Sequence, residues 1–136
     1  MEPEGHAADG GSSLAQVAER VRAALDSADL EAFGDLLDPN VTWGAPGDPS
    51  PSCRNRRQVL DWYRQGRADG RRAQVLDVTS HRDKILVSMT VTSPRATADQ
   101  ARADRWQVLT IADGLIRDIR GYDLREDALA ATGLPN

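Results

Sequence analysis

Cysteine, histidine and aromatic residues are all scarce in this chain. The single cysteine, Cys53, leaves no partner for an internal disulfide and no thiolate set for a metal, which points to a reducing compartment. No stretch approaches the ~18 consecutive apolar residues that cross a bilayer, and the N-terminus lacks a basic-then-apolar leader. A cytoplasmic location without a membrane partner is therefore expected. Excess positive charge is missing too: the formal net charge of −4 argues against generic nucleic-acid binding, which needs a basic surface to neutralise phosphates. There is no Gly-rich phosphate loop, Gly-x-Ser-x-Gly elbow, His-x-x-x-His pair or acidic calcium loop, so neither a metal nor a nucleotide cofactor is called for.

What remains is enough for one domain. With 136 residues, 40% of them hydrophobic, the chain can bury roughly 65–70% of its unfolded surface without staples. Residues 1–13, rich in Gly, Ser, Glu and Ala and including His6, read as a disordered tail. Residues 14–134 read as the domain.

Leu14, Val17, Ala18, Val21, Leu25 and Ala28 recur at helical spacing, and Asp29 restarts the pattern with Leu30, Phe33, Leu36 and Leu37 until Pro39-Asn40 stops it. Val41–Trp43 is short and β-prone. Gly44–Ser52, with two glycines and three prolines, must be a loop. A third helix starts near the cap Asn55, shows Val59, Leu60, Trp62 and Tyr63 on its apolar side, and closes at Gly66 and Gly70. The period then changes to two. Ala73–His81 and Ile85–Ser93 form a hairpin around Arg82-Asp83-Lys84, and Asp104–Ala112 and Leu115–Tyr122 form another around Asp113-Gly114, a type I′ turn signal. Pro94–Ala103 is the loop between the hairpins, and Asp123–Thr132 is a last short helix, with Leu124, Ala128 and Leu129 on one side, ended by Gly133 and Pro135. Helices first and strands after indicate an α+β domain.

Several strings carry a resemblance. Ser27-Ala28-Asp29-Leu30-Glu31-Ala32-Phe33 and Leu36-Leu37-Asp38-Pro39-Asn40-Val41-Thr42-Trp43 form the opening, Cys53-Arg54-Asn55-Arg56-Arg57-Gln58-Val59-Leu60 leads into the third helix, and Trp106–Tyr122 with Asp113-Gly114-Leu115-Ile116 forms the closing hairpin, leaving through Tyr122-Asp123-Leu124-Arg125. Together they resemble the nuclear transport factor 2-like superfamily, in its SnoaL-like, polyketide cyclase-like branch. The resemblance implies a cone-shaped, strongly curved antiparallel sheet wrapped around the N-terminal helices. It does not fix an activity, because this superfamily spans isomerases, epoxide hydrolases, cyclases, dehydratases and non-catalytic binding modules.

In the ketosteroid isomerase branch a general base follows the first strand and a neutral carboxylic acid lies on the third. The matching positions here hold Gly44 or Ala45 and Gln107, which cannot perform that proton transfer. The resemblance implies instead a pocket lined by Trp43, Tyr63, Ser88, Gln107 and Tyr122, taking a small apolar or polyketide-like molecule, with Gln107 as a hydrogen-bond donor to a ligand carbonyl. A cofactor-free cyclase, isomerase or hydrolase would need an acid or base, for which His81, Asp77, Asp104, Asp118 and Asp123 are candidates and none is singled out. The alternative is a non-catalytic dimerisation or binding module whose cone is filled by its own side chains.

Two features stay outside this scheme. Arg54, Arg56, Arg57, Arg64, Arg67, Arg71 and Arg72 share a segment whose acids are only Asp61 and Asp69; they read either as a solvated helix face with weak ion pairs or as an anion- or partner-binding patch. Leu76, Val78, Ile85 and Leu86 exceed what one buried sheet face requires, so a homodimer across the convex face is expected.

Overall fold

The computed structural model describes residues 4–93 and 102–134, with side chains from Leu14 onward. Most of the loop expected over Pro94–Ala103 lies outside the described residues. The elements run α1 (Glu4–Asp26), α2 (Leu30–Gly34), β1 (Leu37–Gly44), α3 (Arg56–Ala68), β2 (Arg72–His81), β3 (Lys84–Thr92), β4 (Arg102–Ala112), β5 (Leu115–Tyr122) and α4 (Arg125–Thr132).

Helix α1 buries Val17, Ala18, Val21 and Ala24 along one stripe, as the 3-4-7 spacing demands. Its backbone is helical from Glu4. Once a helix is nucleated, each added residue gains a hydrogen bond, and no proline follows Pro3 to interrupt it.

The second helix is shorter than its pattern. Asp29 caps it by accepting from the Ala32 N–H at 3.0 Å, but it stops at Gly34, and Leu37 opens β1 opposite Ile116, fully buried. Pro39 therefore sits inside a strand rather than ending a helix. The sheet order β1-β5-β4-β3-β2 puts β1 at an edge, where a missing ladder N–H is tolerated.

Sheet pairing is antiparallel except between β1 and β5, which run parallel. That pair adds one parallel partnership at the edge of the antiparallel sheet that was expected. Register shifts interrupt β1/β5 between Leu37 and Thr42, β2/β3 between Val75 and Asp77, and β4/β5 between Thr110 and Ile111; such bulges bend strands and increase twist. Asp113 (φ 55°) and Gly114 (φ 79°) make the expected left-handed turn. The β2–β3 loop has two residues, not three, because Lys84 already pairs with His81.

Both faces of the sheet are covered. Helices α1, α2 and α3 pack on the inner face over Ile85, Val87, Leu109, Ile116 and Ile119. Helix α4 places Ala128 and Leu129 on the outer face against Leu86 and Val108, while Leu124, expected on its apolar side, is exposed. The apolar surplus that suggested a convex-face dimer is thus largely consumed within the chain: Ile85 and Leu86 are buried, and Leu76 alone of the four remains half exposed.

Candidate functional site

Helix α3 is capped by Asn55, whose side chain accepts from the Gln58 N–H at 2.9 Å, and Val59 and Tyr63, one turn apart, face the sheet. Phe33 of α2 stacks on the Tyr63 ring at a centroid distance of 5.2 Å and 15° between planes. Beside this pair, between the C-terminal ends of α1 and α3 and the inner face of β2, β3 and β4, lies a recess of about 350 Å³. Its walls are mostly apolar, with Leu25, Trp62, Val75, Met89 and Val91, and its uncharged polar side chains are Tyr63 and Gln107.

The Tyr63 hydroxyl donates to Gln107 Oε1 at 3.4 Å, and Gln107 Nε2 donates no hydrogen bond among the described residues. Burial pushes the Tyr63 pKa up to about 12, against the opposing pull of Gln107 and of the Trp43 indole, which favour the ionised form. That indole N–H is buried without a hydrogen-bond partner; it influences the Tyr63 oxygen without closing a bond to it. Tyr63 is thus a neutral donor near neutral pH. Because the unfolded chain ionises this group near pH 10 and the folded chain only near 12, the stability present below pH 10 falls as pH rises between those values, by on the order of 2 kcal/mol. Denaturant unfolding at pH 9 and pH 11.5 should show that loss in the native chain and a smaller one in Tyr63→Phe; the same pH dependence in both would refute it.

Of the five residues expected at the pocket, Tyr63 and Gln107 line the recess. Trp43 stands behind them, its ring 5.2 Å from that of Trp62. Ser88 and Tyr122 lie elsewhere, which corrects their placement. Trp106 is opposite both of them in the register, and Trp106 and Tyr122 pack with Leu86 under α4 on the outer face.

The candidate acids and bases are also distributed away from the recess. His81 Nδ1 lies 2.8 Å from the Thr132 carbonyl oxygen at the end of α4, a structural contact. Asp77 is exposed and accepts from Thr79, Asp104 accepts from Thr90, and Asp123 pairs with Arg105 at 3.1 Å. Asp118 binds Thr42 and Arg120. Among the described residues, Asp26 is the only carboxylate lining the recess, and Arg22 holds it at 3.7 Å.

Sequence reasoning overlooked Met89, Val91 and Trp62 as wall residues, although Met89 and Val91 follow Val87 at the strand period of two. It also left Arg67, Arg71 and Arg72 unplaced. All three line the recess.

Comparison with known proteins bears on the fold. No curated protein matches the chain. Among solved structures, a proposed polyketide cyclase from Sinorhizobium meliloti is 19% identical with a TM-score of 0.61, covering 79% of this chain and 94% of its own. A proposed ketosteroid isomerase from Kribbella flavida is 18% identical with a TM-score of 0.65, covering 81% and 76%. An epoxide hydrolase of the LEH-like type from M. tuberculosis is 17% identical with a TM-score of 0.60, covering 89% and 90%. These identities establish a shared fold and no shared activity. The family model of the SnoaL-like domain matches residues 18–119, more than half of the chain, and the chain belongs to that family, within the nuclear transport factor 2-like superfamily.

Proposed function

We propose that the recess binds a mostly apolar small molecule carrying a carbonyl, a class that includes polyketide-like rings, and that binding rather than acid–base turnover is its primary task. One observation carries this reading: the recess of about 350 Å³ is mostly apolar in its walls, and its uncharged polar side chains are the hydrogen-bonded pair Tyr63 and Gln107. A volume in the range of roughly 300–1,000 Å³ with few convergent polar groups is typical of ligand sites. Tyr63 donates to the amide oxygen, which leaves Gln107 Nε2 as the donor for a ligand carbonyl. Acid–base chemistry would need a positioned proton donor or acceptor, and Asp26, the only carboxylate lining the recess among the described residues, is paired with Arg22 at 3.7 Å. The resemblance to a proposed polyketide cyclase suggests polycyclic carbonyl compounds as the first screen. A cone filled by its own side chains accords less well with the volume of the recess. The homodimer forms part of this proposal only through β2, where Leu76 is exposed at the sheet edge.

Titration calorimetry with 2-decalone, a bicyclic ketone, tests the assignment. The native chain should bind, and Gln107→Leu should bind about tenfold more weakly, the usual effect of losing one net hydrogen bond. Equal affinities would remove Gln107 from the site, and no binding to the native chain would overturn the reading.

A further inference from the structure

The arginines between Arg54 and Arg72 divide in the fold. Arg57 and Arg64 flank Asp61 on the exposed side of α3 at 4.0 and 3.3 Å, and Arg56 donates to the Leu37 carbonyl from Nη2 at 2.8 Å. Arg67, Arg71 and Arg72 converge at the recess.

Two helix ends bring them there. At the end of α3, the Arg71 N–H bonds to the Gly66 carbonyl and the Gly70 N–H to that of Arg67, both at 2.9 Å, and Gly70 turns the chain at φ 91°. This is a Schellman reversal, and it returns Arg71 and Arg72 beside Arg67 as β2 begins. The end of α1 does the same, with Asp29 N–H to Ala24 O at 2.9 Å, Ala28 N–H to Leu25 O at 3.2 Å, and Ala28 at φ 56°. The Ala28 carbonyl, turned outward by that strained residue, accepts from Arg67 Nη1 at 2.9 Å.

The guanidiniums of Arg67 and Arg72 are anchored by backbone carbonyls, not by carboxylates. Arg72 Nη1 donates to the Arg71 and Arg67 carbonyls at 2.8 and 3.3 Å. Arg71 lies along Gly66, where an added Cβ would stand 3.8 Å from its Nη1, and it donates no hydrogen bond among the described residues. None of the three enters a salt bridge among the described residues, and Asp26 is already held by Arg22. In a protein of net charge −4, a mostly apolar recess is thus lined by three guanidiniums that no salt bridge among the described residues neutralises. A planar guanidinium with free N–H groups matches a carboxylate in two parallel bonds.

We infer that the ligand is an amphipathic organic acid, with its apolar body against Leu25, Val75, Met89 and Val91 and its carboxylate at Arg71, flanked by Arg67 and Arg72. This rests on the recess being a binding site, and it adds the charge of the ligand to that reading.

Titration calorimetry at low ionic strength with decanoate, below its micellar concentration, and with 1-decanol as a neutral chain of equal length separates the two. Decanoate should bind about tenfold more tightly than decanol, and 0.5 M NaCl should narrow the gap through screening. Arg71→Gln/Arg72→Gln should close the gap by weakening decanoate binding, and Arg57→Gln, on the solvent side of α3, should alter neither ligand. Equal affinities in the native chain, or a gap that persists in the double variant, would overturn the inference. Binding of decanol and 2-decalone without decanoate overturns it while the recess reading stands; binding of none of the three overturns both.

Discussion

Replacing Phe33 by alanine is expected to destabilise the protein by about 3–5 kcal/mol, the usual cost of emptying a buried phenyl position, and to lower the melting temperature by roughly 10–20 °C. Phe33 is 1% exposed and is carried by α2, a helix of five residues too short to persist unsupported. Its stack on Tyr63 joins α2 to α3, so the same ring that seals the core also backs the uncharged polar pair of the recess. The effect therefore has a second readout. Phe33→Leu, which keeps most of the volume at a cost of about 1–1.5 kcal/mol, should still bind 2-decalone more weakly, because Tyr63 loses its stacked support. Thermal unfolding of both variants with parallel calorimetry checks the pair; a cost below about 1 kcal/mol for Phe33→Ala would mean that α2 is held by other contacts.

The fold was more legible in the sequence than the site because the two depend on different information. Asn55 as a cap, Asp113-Gly114 as a left-handed turn and the apolar stripe of α1 are local signals, and each appears in the structure. The parallel partnership of β1 with β5 joins segments far apart in the chain, and no local pattern encodes it. Pro39 was misleading for a related reason: proline ends a helix or sits at a sheet edge, and only the strand order decides between them.

The misplacement of Tyr122 has a specific cause. With an unbroken two-residue turn at Asp113-Gly114, Gln107 would stand opposite Arg120, and Tyr122 would share its face. The bulge between Thr110 and Ile111 inserts one residue in β5, so Gln107 faces Gly121 and Trp106 faces Tyr122. A one-residue slip sends every following side chain to the other side of the sheet. The same rule explains Asp77: the extra residue Leu76 breaks the alternation, and Asp77 lands opposite Ser88. For Ser88 itself no alternation was available, since Ile85, Leu86 and Val87 are all buried, inner and outer faces alike.

Arg120→Met is expected to cost about 2–3 kcal/mol and to release the loop between Gly44 and Ser52. Arg120 Nε lies 3.1 Å from both oxygens of Asp118, and its Nη1 donates to the carbonyls of Ala45 at 2.8 Å and Asp48 at 3.0 Å. That loop has little else to hold it: Ala45, Pro46 and Gly47 are exposed, and its base is closed by the paired backbone bonds of Trp43 and Cys53 at 3.0 and 3.1 Å. Hydrogen bonds to a charged group contribute about 1.5–3 kcal/mol each where buried; here both charged side chains are partly exposed, which brings the sum to the lower figure. Asp118 thus braces the loop through Arg120, and the two residues should act as one unit. Asp118→Asn combined with Arg120→Met should cost clearly less than the two single changes added together, by about 1 kcal/mol or more, and hydrogen exchange should accelerate over residues 44–52 in each variant while α1 and β3 keep their protection. Strictly additive costs, or unchanged exchange in the loop, would show that Arg120 does not tie it to β5.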